Sequence, residues 1–287
     1  MQTRSQYLKA LLVARRAAII PGTPNALFAR VIAAHGFEAV YVTGAGIANM
    51  SLGVPDIGLV TLTELTEHVA AISNAVDIPL LVDGDTGFGN ALNIGRTVRL
   101  MERAGAAGIQ IEDQVFPKKC GHFGGKQVIP AAEMVGKIKA AVDARVDQDL
   151  QIVARTDART IEGINAAVDR AQAYVEAGAD VTFVEAPLEI GEMQRIASEI
   201  RVPQIANMVF GGLTPQLAQS QLAQLGFGGV LYANAALQAA LKSVNEVMAA
   251  LRRDGSLAQV TDRLAGFDER QQAVDKPRYD ELEQRYR

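Results

Sequence analysis

Asp83 and Asp85, two residues apart in Leu81-Val82-Asp83-Gly84-Asp85-Thr86-Gly87, are the first pair whose type and spacing suggest chemistry. They end an apolar run that reads as a β-strand, and side chains alternate along a strand, so both point to one side. Two carboxylates placed together repel unless a proton or cation lies between them. Hard oxygen donors suit Mg²⁺, which takes one or two protein carboxylates, keeps waters and accepts oxygens from substrate. The other reading of the pair is that it caps the loop that follows.

Four neighbouring runs end in the same manner. Ile109-Gln110-Ile111 leads to Glu112, Ala154 to Arg155, Phe183-Val184 to Glu185, and Ala206 to Asn207. One such end is ordinarily a strand meeting solvent. Consecutive strand ends that all carry polar groups point to a convergent site. Glu112 and Glu185 would complete a carboxylate ring around a metal, directly or through water, and Arg155 offers a two-pronged donor to a substrate carboxylate.

The sole cysteine, Cys120, follows Lys118 and Lys119 and precedes His122 by two residues. Neighbouring positive charge favours the thiolate, so the residue reads as reactive, with an inert loop thiol as the alternative. Gly121, Gly124 and Gly125 give this segment the freedom to close over a site. One Cys with one nearby His falls short of a four-ligand structural zinc site. His35 and His68 fall in or at the ends of helical stretches and are read as structural.

These residues need a scaffold that brings strand ends together. Eight short apolar runs recur: Ala18–Pro21, Ala39–Thr43, Pro79–Val82, Gly108–Glu112, Gln151–Arg155, Asp180–Glu185, Pro203–Asn207 and Gly229–Ala233. Most are nearly continuous Val, Ile, Leu and Ala, as strands buried on both faces must be. Helical signals separate them. Leu92–Ala104 places Ile94, Val98 and Met101 at helical spacing before Gly105, Ile164–Ala177 ends at Gly178, and Thr214-Pro215 reads as a helix start closed by Gly226. The pattern predicts one α/β domain, a (β/α)8 TIM-type barrel, over residues 1–234, with a doubly wound open sheet as the second choice. Long insertions at Ala45–Gly58 and Val115–Ile129 follow strand carboxyl ends, where barrel enzymes place their chemistry. Residues 235–287, including Leu237–Arg252 and the charged Lys276–Arg287, exceed what closes a barrel and read as the eighth helix plus a helical extension for subunit contacts.

Composition narrows the partners. With 28 basic and 32 acidic residues the net charge is −4, so nothing electrostatic calls for nucleic acid or an anionic membrane. No run reaches the roughly 18 apolar residues of a membrane span, and Leu8–Ile20 lacks the marks of a secretion signal. A lone cysteine suits a reducing, cytoplasmic compartment.

Together the segments Tyr41-Val42-Thr43-Gly44-Ala45-Gly46, Asp83–Gly89, Ile111-Glu112-Asp113-Gln114, Lys118-Lys119-Cys120-Gly121-His122, Ala154-Arg155-Thr156-Asp157 and Glu185-Ala186-Pro187 resemble the isocitrate lyase / phosphoenolpyruvate mutase superfamily over essentially the whole chain. The Lys-Lys-Cys-Gly-His segment is similar to its lyase branch, in particular the 2-methylisocitrate and 2,3-dimethylmalate lyase groups. The resemblance implies a barrel whose eighth helix is exchanged between subunits of a homotetramer built as a dimer of dimers. It implies Mg²⁺, with Mn²⁺ as a substitute, held by Asp56, Asp83, Asp85 and Glu112, Asp85 most directly. It places a substrate carboxylate on Thr43, Gly44 and Ala45, and further substrate contacts on Arg155, Glu185 and Asn207. Val209-Phe210 is apolar where related lyases are often polar, which hints at a more apolar substituent on the substrate.

The expected activity is Mg²⁺-dependent carbon–carbon cleavage of a small 2-hydroxy di- or tricarboxylic acid to a 2-oxo acid such as pyruvate plus a carboxylate. Tyr41, acting with Glu112 or water, would remove the hydroxyl proton. Arg155, Lys119 and His122 would balance the developing charge, and Cys120 would protonate the carbanion. An oxaloacetate hydrolase or decarboxylase, a phosphonopyruvate mutase or hydrolase, and a catalytically idle binding barrel are the alternatives.

Overall fold

The computed structural model describes residues 2–119, 121 and 124–287. Eight parallel strands follow one another along the chain: β1 (Ala18–Thr23), β2 (Val40–Val42), β3 (Leu80–Asp83), β4 (Ala106–Glu112), β5 (Gln151–Thr156), β6 (Val181–Val184), β7 (Ile205–Asn207) and β8 (Gly229–Tyr232). They pair in the order β6-β5-β4-β3-β2-β1-β8-β7. The two outer strands of that order meet as well: Thr182 N–H donates to Pro203 O at 3.1 Å, and Thr182 bridges Gln204 in parallel. The sheet therefore curls into a nearly closed barrel, as expected, and the open-sheet alternative is set aside.

The alternation of strand side chains divides the core. Ile20, Tyr41, Leu81, Val153, Phe183, Ile205 and Leu231 fall inside the ring, while Val40, Val82, Ile109 and Ile152 face the surrounding helices. The interior is closed from below by the helix Arg4–Val13, which brings Leu8, Leu11 and Leu12 into the same cluster. Gly108 and Gly228 permit that approach, since a β-carbon there would come within 2.9 Å of Leu8 Cδ2 and 2.5 Å of Leu12 O. Burying Leu8 and Leu12 completely contributes roughly 1.5–3 kcal/mol each.

The helices behave largely as their end signals indicate. Ala91–Ala104 buries Ile94, Val98 and Met101, starts on an Asn90/Asn93 capping box and stops at Gly105, whose φ of 105° no side-chain-bearing residue adopts easily. Ile164–Glu176 likewise matches its expected span. Thr214-Pro215 does not start a helix. Gln216 Nε2 donates to Val209 O at 3.1 Å and to Thr214 O at 3.3 Å, which holds this stretch as a loop. The helix runs over Gln219–Leu225 instead, where Gln221 Oε1 accepts from Ala218 N–H at 2.9 Å, and Gly226 ends it as expected.

Beyond β8 the helix Ala235–Asp254 buries only Val247 and Ala250. Leu241, Val244, Met248 and Leu251 form an exposed apolar stripe at helical spacing. The chain then turns back, and the helix Phe267–Ala273 lies against Ala26–Ala34, with Arg30 Nη1 3.7 Å from Asp275 Oδ2. No described helix is long and apolar enough to cross a membrane.

Candidate active site

Strand register sets the layer of residues at the carboxyl end of the barrel. Asp83 lies opposite Gln110, Glu112 opposite Arg155, and Arg155 opposite Phe183. Asp83, Arg155 and Phe183 of this layer, with the inward Tyr41, Glu185 and Asn207, line a cavity of about 50 Å³ to which Thr43, Ala45, Asp56, Lys118, Gly121, Val209 and Asn234 also contribute. A larger hollow of about 640 Å³ lies between the loops outside the ring, lined by Leu59, Phe88, Phe116 and Lys137 among others. It contains none of the converging strand-end acids, so the chemistry belongs to the smaller one.

One half of the site is acidic. Asp83 Oδ1 accepts from Asp85 N–H at 3.2 Å and Gln110 Nε2 at 3.5 Å, and Oδ2 accepts from Gly44 N–H at 3.4 Å. Asp85 sits at φ 47°, in the left-handed region, as the chain turns off β3. Burial pushes its carboxyl up to about 6, with Lys118 opposing and Asp83 and Asp56 reinforcing the shift. Lys118 Nζ lies 2.5 Å from Asp56 Oδ1 and 2.9 Å from Asp85 Oδ1. Burial and the hydrogen bond to Asp83 hold the Tyr41 proton well above its usual range. A phenol held in this way keeps its proton and is placed to donate to Asp83.

The other half is built on Arg155. Its Nε lies 2.9 Å from Asp157 Oδ2 and 3.3 Å from Glu112 Oε2, its Nη2 3.1 Å from Glu185 Oε2, and the guanidinium stacks 5.1 Å from the Phe183 ring centre. Glu185 is further engaged by Asn207 Nδ2 at 3.2 Å and Ala186 N–H at 3.0 Å. Glu185 therefore serves the arginine, and the expected carboxylate ring is not drawn together around one point. Among the described residues no His, Cys, Asp and Glu are gathered as a ready metal cluster. The donors nevertheless fit a hard cation, because Asp85 Oδ1 and Glu112 Oε1 are buried oxygens without a hydrogen bond. Burial raises Glu112 well above the usual carboxylate range, against the pull of Arg155.

Thr43 ends β2 by accepting Gly46 N–H on its Oγ1 at 3.2 Å, while the hydroxyl donates to Asn234 at 3.4 Å. Gly44 and Ala45 continue into the short helical turn Gly44–Ile47 beside the cavity. Val209 lines the cavity but Phe210 is 85% exposed, so only the valine can shape specificity.

The basic segment differs from expectation. Lys119 is exposed and its Nζ donates to Gly125 O at 3.0 Å, because Gln114 clamps its main chain with Nε2 to Lys119 O and Oε1 to Lys119 N–H, both 2.9 Å. Lys118 and Lys126 are the buried cations instead. Lys126 Nζ donates to Asp157 Oδ1 at 2.8 Å and to Gly121 O. Cys120 and His122 lie outside the described residues.

Sequence reasoning passed over Asp157, Lys126 and Asn234. Asp157 takes up Arg155 and Lys126 and is itself fixed by its N–H, which donates to Asp113 Oδ1 at 3.0 Å. The usable signal was in the chain: Asp157 follows β5 by one residue and Asn234 follows β8 by two, like the polar strand ends already singled out.

A nearly closed (β/α)8 barrel with acids and an arginine converging at the strand carboxyl ends defines a barrel enzyme site for small anionic substrates. The phosphoenolpyruvate phosphomutase family model matches residues 8–252, and the chain belongs to that family. It is 46% identical to a 2,3-dimethylmalate lyase of Eubacterium barkeri over 279 residues, covering 97% of this chain and 96% of the relative. It is also 46% identical to a 2-methylisocitrate lyase of Aeropyrum pernix over 257 residues, covering 90% and 82%. The crystal structure of a 2,3-dimethylmalate lyase, a member of the PEP mutase/isocitrate lyase superfamily, superposes with a TM-score of 0.94 at 31% identity over 100% of this chain and 96% of that one. The expected superfamily and its lyase branch are thereby borne out.

Proposed function

We propose that the chain is a divalent-cation-dependent carbon–carbon lyase acting on a 2-hydroxy di- or tricarboxylic acid of the 2,3-dimethylmalate or 2-methylisocitrate kind. The products are a 2-oxo acid such as pyruvate and a second carboxylate. The observation that carries this reading is the barrel-mouth cavity lined by Arg155, Asp56 and Asp83, next to which Asp85 and Glu112 each keep a buried carboxylate oxygen without a hydrogen bond. Asp85 would hold Mg²⁺ or Mn²⁺ directly, and Asp56, Asp83 and Glu112 would do so directly or through water. Such a cation acidifies a coordinated hydroxyl and draws off developing negative charge.

The chain's own residues supply the rest. Arg155, set by Asp157 and Glu185, binds a substrate carboxylate in two-pronged fashion, with Asn207 beside it. Thr43, Gly44 and Ala45 receive a second carboxylate. Glu112, 3.3 Å from Arg155 Nε, takes the C2 hydroxyl proton when it stands as the carboxylate. Tyr41 keeps its proton and fixes Asp83. The C2–C3 bond then breaks, C2 becomes the carbonyl of the 2-oxo acid, and its bonding electrons pass to C3. Cys120 delivers a proton to C3, and exchange with solvent returns Glu112 and Cys120 to their starting states. Lys118 and Lys126 provide the positive charge on this side of the mouth, with His122 as a further donor.

The apolar stripe on Ala235–Asp254 supports a homotetramer built from helix-swapped dimers, and the single cysteine supports a cytoplasmic setting. The deciding experiment follows Mg²⁺-dependent release of 2-oxo acid from 2,3-dimethylmalate, 2-methylisocitrate, oxaloacetate and phosphonopyruvate. Turnover of oxaloacetate alone would replace the lyase with a hydrolase or decarboxylase, and turnover of phosphonopyruvate alone with a mutase or hydrolase. No turnover of any acid would leave a binding barrel.

A further inference from the structure

Asp113 follows β4 by one residue, so its side chain points away from the inward Glu112 and towards the helix layer. There it meets three successive residues at the end of β5. Its N–H donates to Arg155 O at 3.2 Å, its Oδ2 accepts from Thr156 Oγ1 at 2.7 Å, and its Oδ1 accepts from Asp157 N–H at 3.0 Å. Tyr174, on the helix Ile164–Glu176, closes the arrangement by donating its hydroxyl to Oδ2 at 2.7 Å. Burial and the neighbouring Asp113 charge hold the Tyr174 proton well above its usual range, so the phenol remains a donor. Arg170 Nη1 stands 3.4 Å from Oδ2 as the counter-charge, while Glu162 grips the same guanidinium at 2.9 and 3.0 Å. Asp113, Thr156, Asp157 and Tyr174 are all fully buried.

A seam between strands and a helix does not require this. Well-packed apolar residues of similar volume would serve it at least as well, because burying a carboxylate sacrifices its hydration. Nor does Asp113 meet substrate, since it is not among the described residues that line the cavity. What its contacts determine is the course of residues 155–157, held at one carbonyl, one hydroxyl and one N–H in turn. Asp157 then fixes Arg155 Nε at 2.9 Å. We propose that Asp113 is a positioning residue of the reaction: with Thr156 and Tyr174 it sets the main chain that carries Asp157, and through Asp157 it aims the Arg155 fork at the substrate carboxylate. This rests on the reading of Arg155 as the substrate-carboxylate donor given above. A consequence follows that a purely structural role lacks. Loosening Asp113 weakens substrate binding through Arg155, so its effect must vanish once position 155 no longer presents a fork.

A double-mutant cycle on the full chain decides the matter. With whichever acid the wild type cleaves, kcat and KM are measured for wild type, Asp113→Asn, Tyr174→Phe, Arg155→Lys, and each of the first two variants combined with Arg155→Lys. Asp113→Asn keeps the size but gives up acceptor capacity, and Arg155→Lys keeps the charge but loses the fork. KM should rise about tenfold in Asp113→Asn and several-fold in Tyr174→Phe with kcat changed far less, the pattern of a binding contact made alike in ground and transition states. In the Arg155→Lys background both substitutions should alter kcat/KM by less than about twofold, the non-additivity of groups that act in one network. Equal fractional losses in both backgrounds make the role structural, or relayed through the adjacent Glu112, and overturn the proposal while leaving the lyase intact. An unchanged KM in both single variants overturns it as well. Full activity of Arg155→Lys removes the arginine from substrate binding and the positioning role with it, and no turnover of any acid by the wild type overturns the lyase reading and this role together. Tyr174→Phe retains the buried ring, so the cycle can be completed with it even if Asp113→Asn does not fold.

Discussion

Gly121 lies against Arg155 so closely that a β-carbon at position 121 would stand 2.4 Å from Arg155 Nη2. The same atom would meet Glu185 Cγ at 2.8 Å. The arginine cannot simply swing away, because Asp157, Glu112 and Glu185 hold its guanidinium from three sides. Gly121→Ala should therefore displace the fork that receives the substrate carboxylate. A misplacement of about 1 Å can cost on the order of 10²-fold in rate, so kcat/KM should fall by about that factor. The thermal midpoint should stay within a few degrees, as no core packing is lost. Unaltered kcat/KM in this variant would remove Arg155 from substrate binding.

Asp85→Ala separates the cation site from the fold. The carboxyl is pushed up to about 6 by burial, but it is also a partner of the buried Lys118 ammonium at 2.9 Å, so its removal should lower the thermal midpoint while leaving the barrel folded. Cation-dependent turnover should fall by about 10²–10³-fold, the usual cost of losing a charge-stabilising partner. Activity equal to wild type at limiting Mg²⁺ would take Asp85 out of the cation site.

Asp157 gives a pH signature. Burial opposes its ionisation, yet Arg155 and Lys126 outweigh that and lower the carboxyl from 3.8 to about 2. A depressed acid contributes stability that is present above its unfolded value and lost as pH falls through the folded one. The shift corresponds to about 2 kcal/mol, withdrawn between roughly pH 4 and pH 2. Asp157→Asn should be less stable at pH 7 and should show a shallower fall in denaturant midpoint across that acid window. Parallel pH profiles for the two proteins would show that the ion pairs at Asp157 are energetically silent.

Much of this arrangement was legible in the chain because strand geometry is local. Alternation alone aims Asp83, Glu112, Arg155, Glu185 and Asn207 inward, and the apolar runs before them mark the strands. What periodicity could not reveal was pairing. Arg155 is drawn to Glu112, Asp157 and Glu185 together, and Lys118 rather than Lys119 turns inward because Gln114 clamps the Lys119 main chain from both sides. The inward turn of Arg4–Val13 was hidden for a similar reason. Its Leu8 and Leu12 fit only against Gly108 and Gly228, about 100 and 216 residues further along the chain. The misplaced helix start at Thr214-Pro215 shows a local signal overruled by a neighbour, since Gln216 secures a loop there.

The helix Ala235–Asp254 should be an assembly surface. Leu241 is 61% exposed, Val244 56% and Met248 51%, and together they make one apolar stripe that a monomer would leave in water. Val244→Glu with Met248→Glu should shift the particle mass measured by light scattering towards the monomer, with the barrel's circular dichroism retained. A full-length wild-type protein that is already a well-behaved monomer would refute this role.

Cys120 should be the proton donor. It is the sole cysteine, preceded by two lysines, and its neighbour Gly121 lines the cavity beside Arg155. Positive charge nearby makes a thiol both a ready acid and a stable thiolate, which is what delivery of a proton to a carbanion requires. Serine has nearly the same size and polarity but is a far weaker acid, so Cys120→Ser removes the acidity and little else. Loss of one general acid costs about 10²–10⁴-fold in turnover, or roughly 3–5 kcal/mol of barrier. Substrate affinity should persist, because Arg155, the Thr43–Ala45 loop and the acidic half of the site are untouched. Stability should change by no more than about 0.5 kcal/mol, as for most loop substitutions. Turnover, KM and thermal midpoint measured beside wild type distinguish the cases. A drop in kcat with KM and midpoint preserved is the expected pattern, whereas near-normal kcat assigns the proton to another group and a large fall in midpoint makes the cysteine structural.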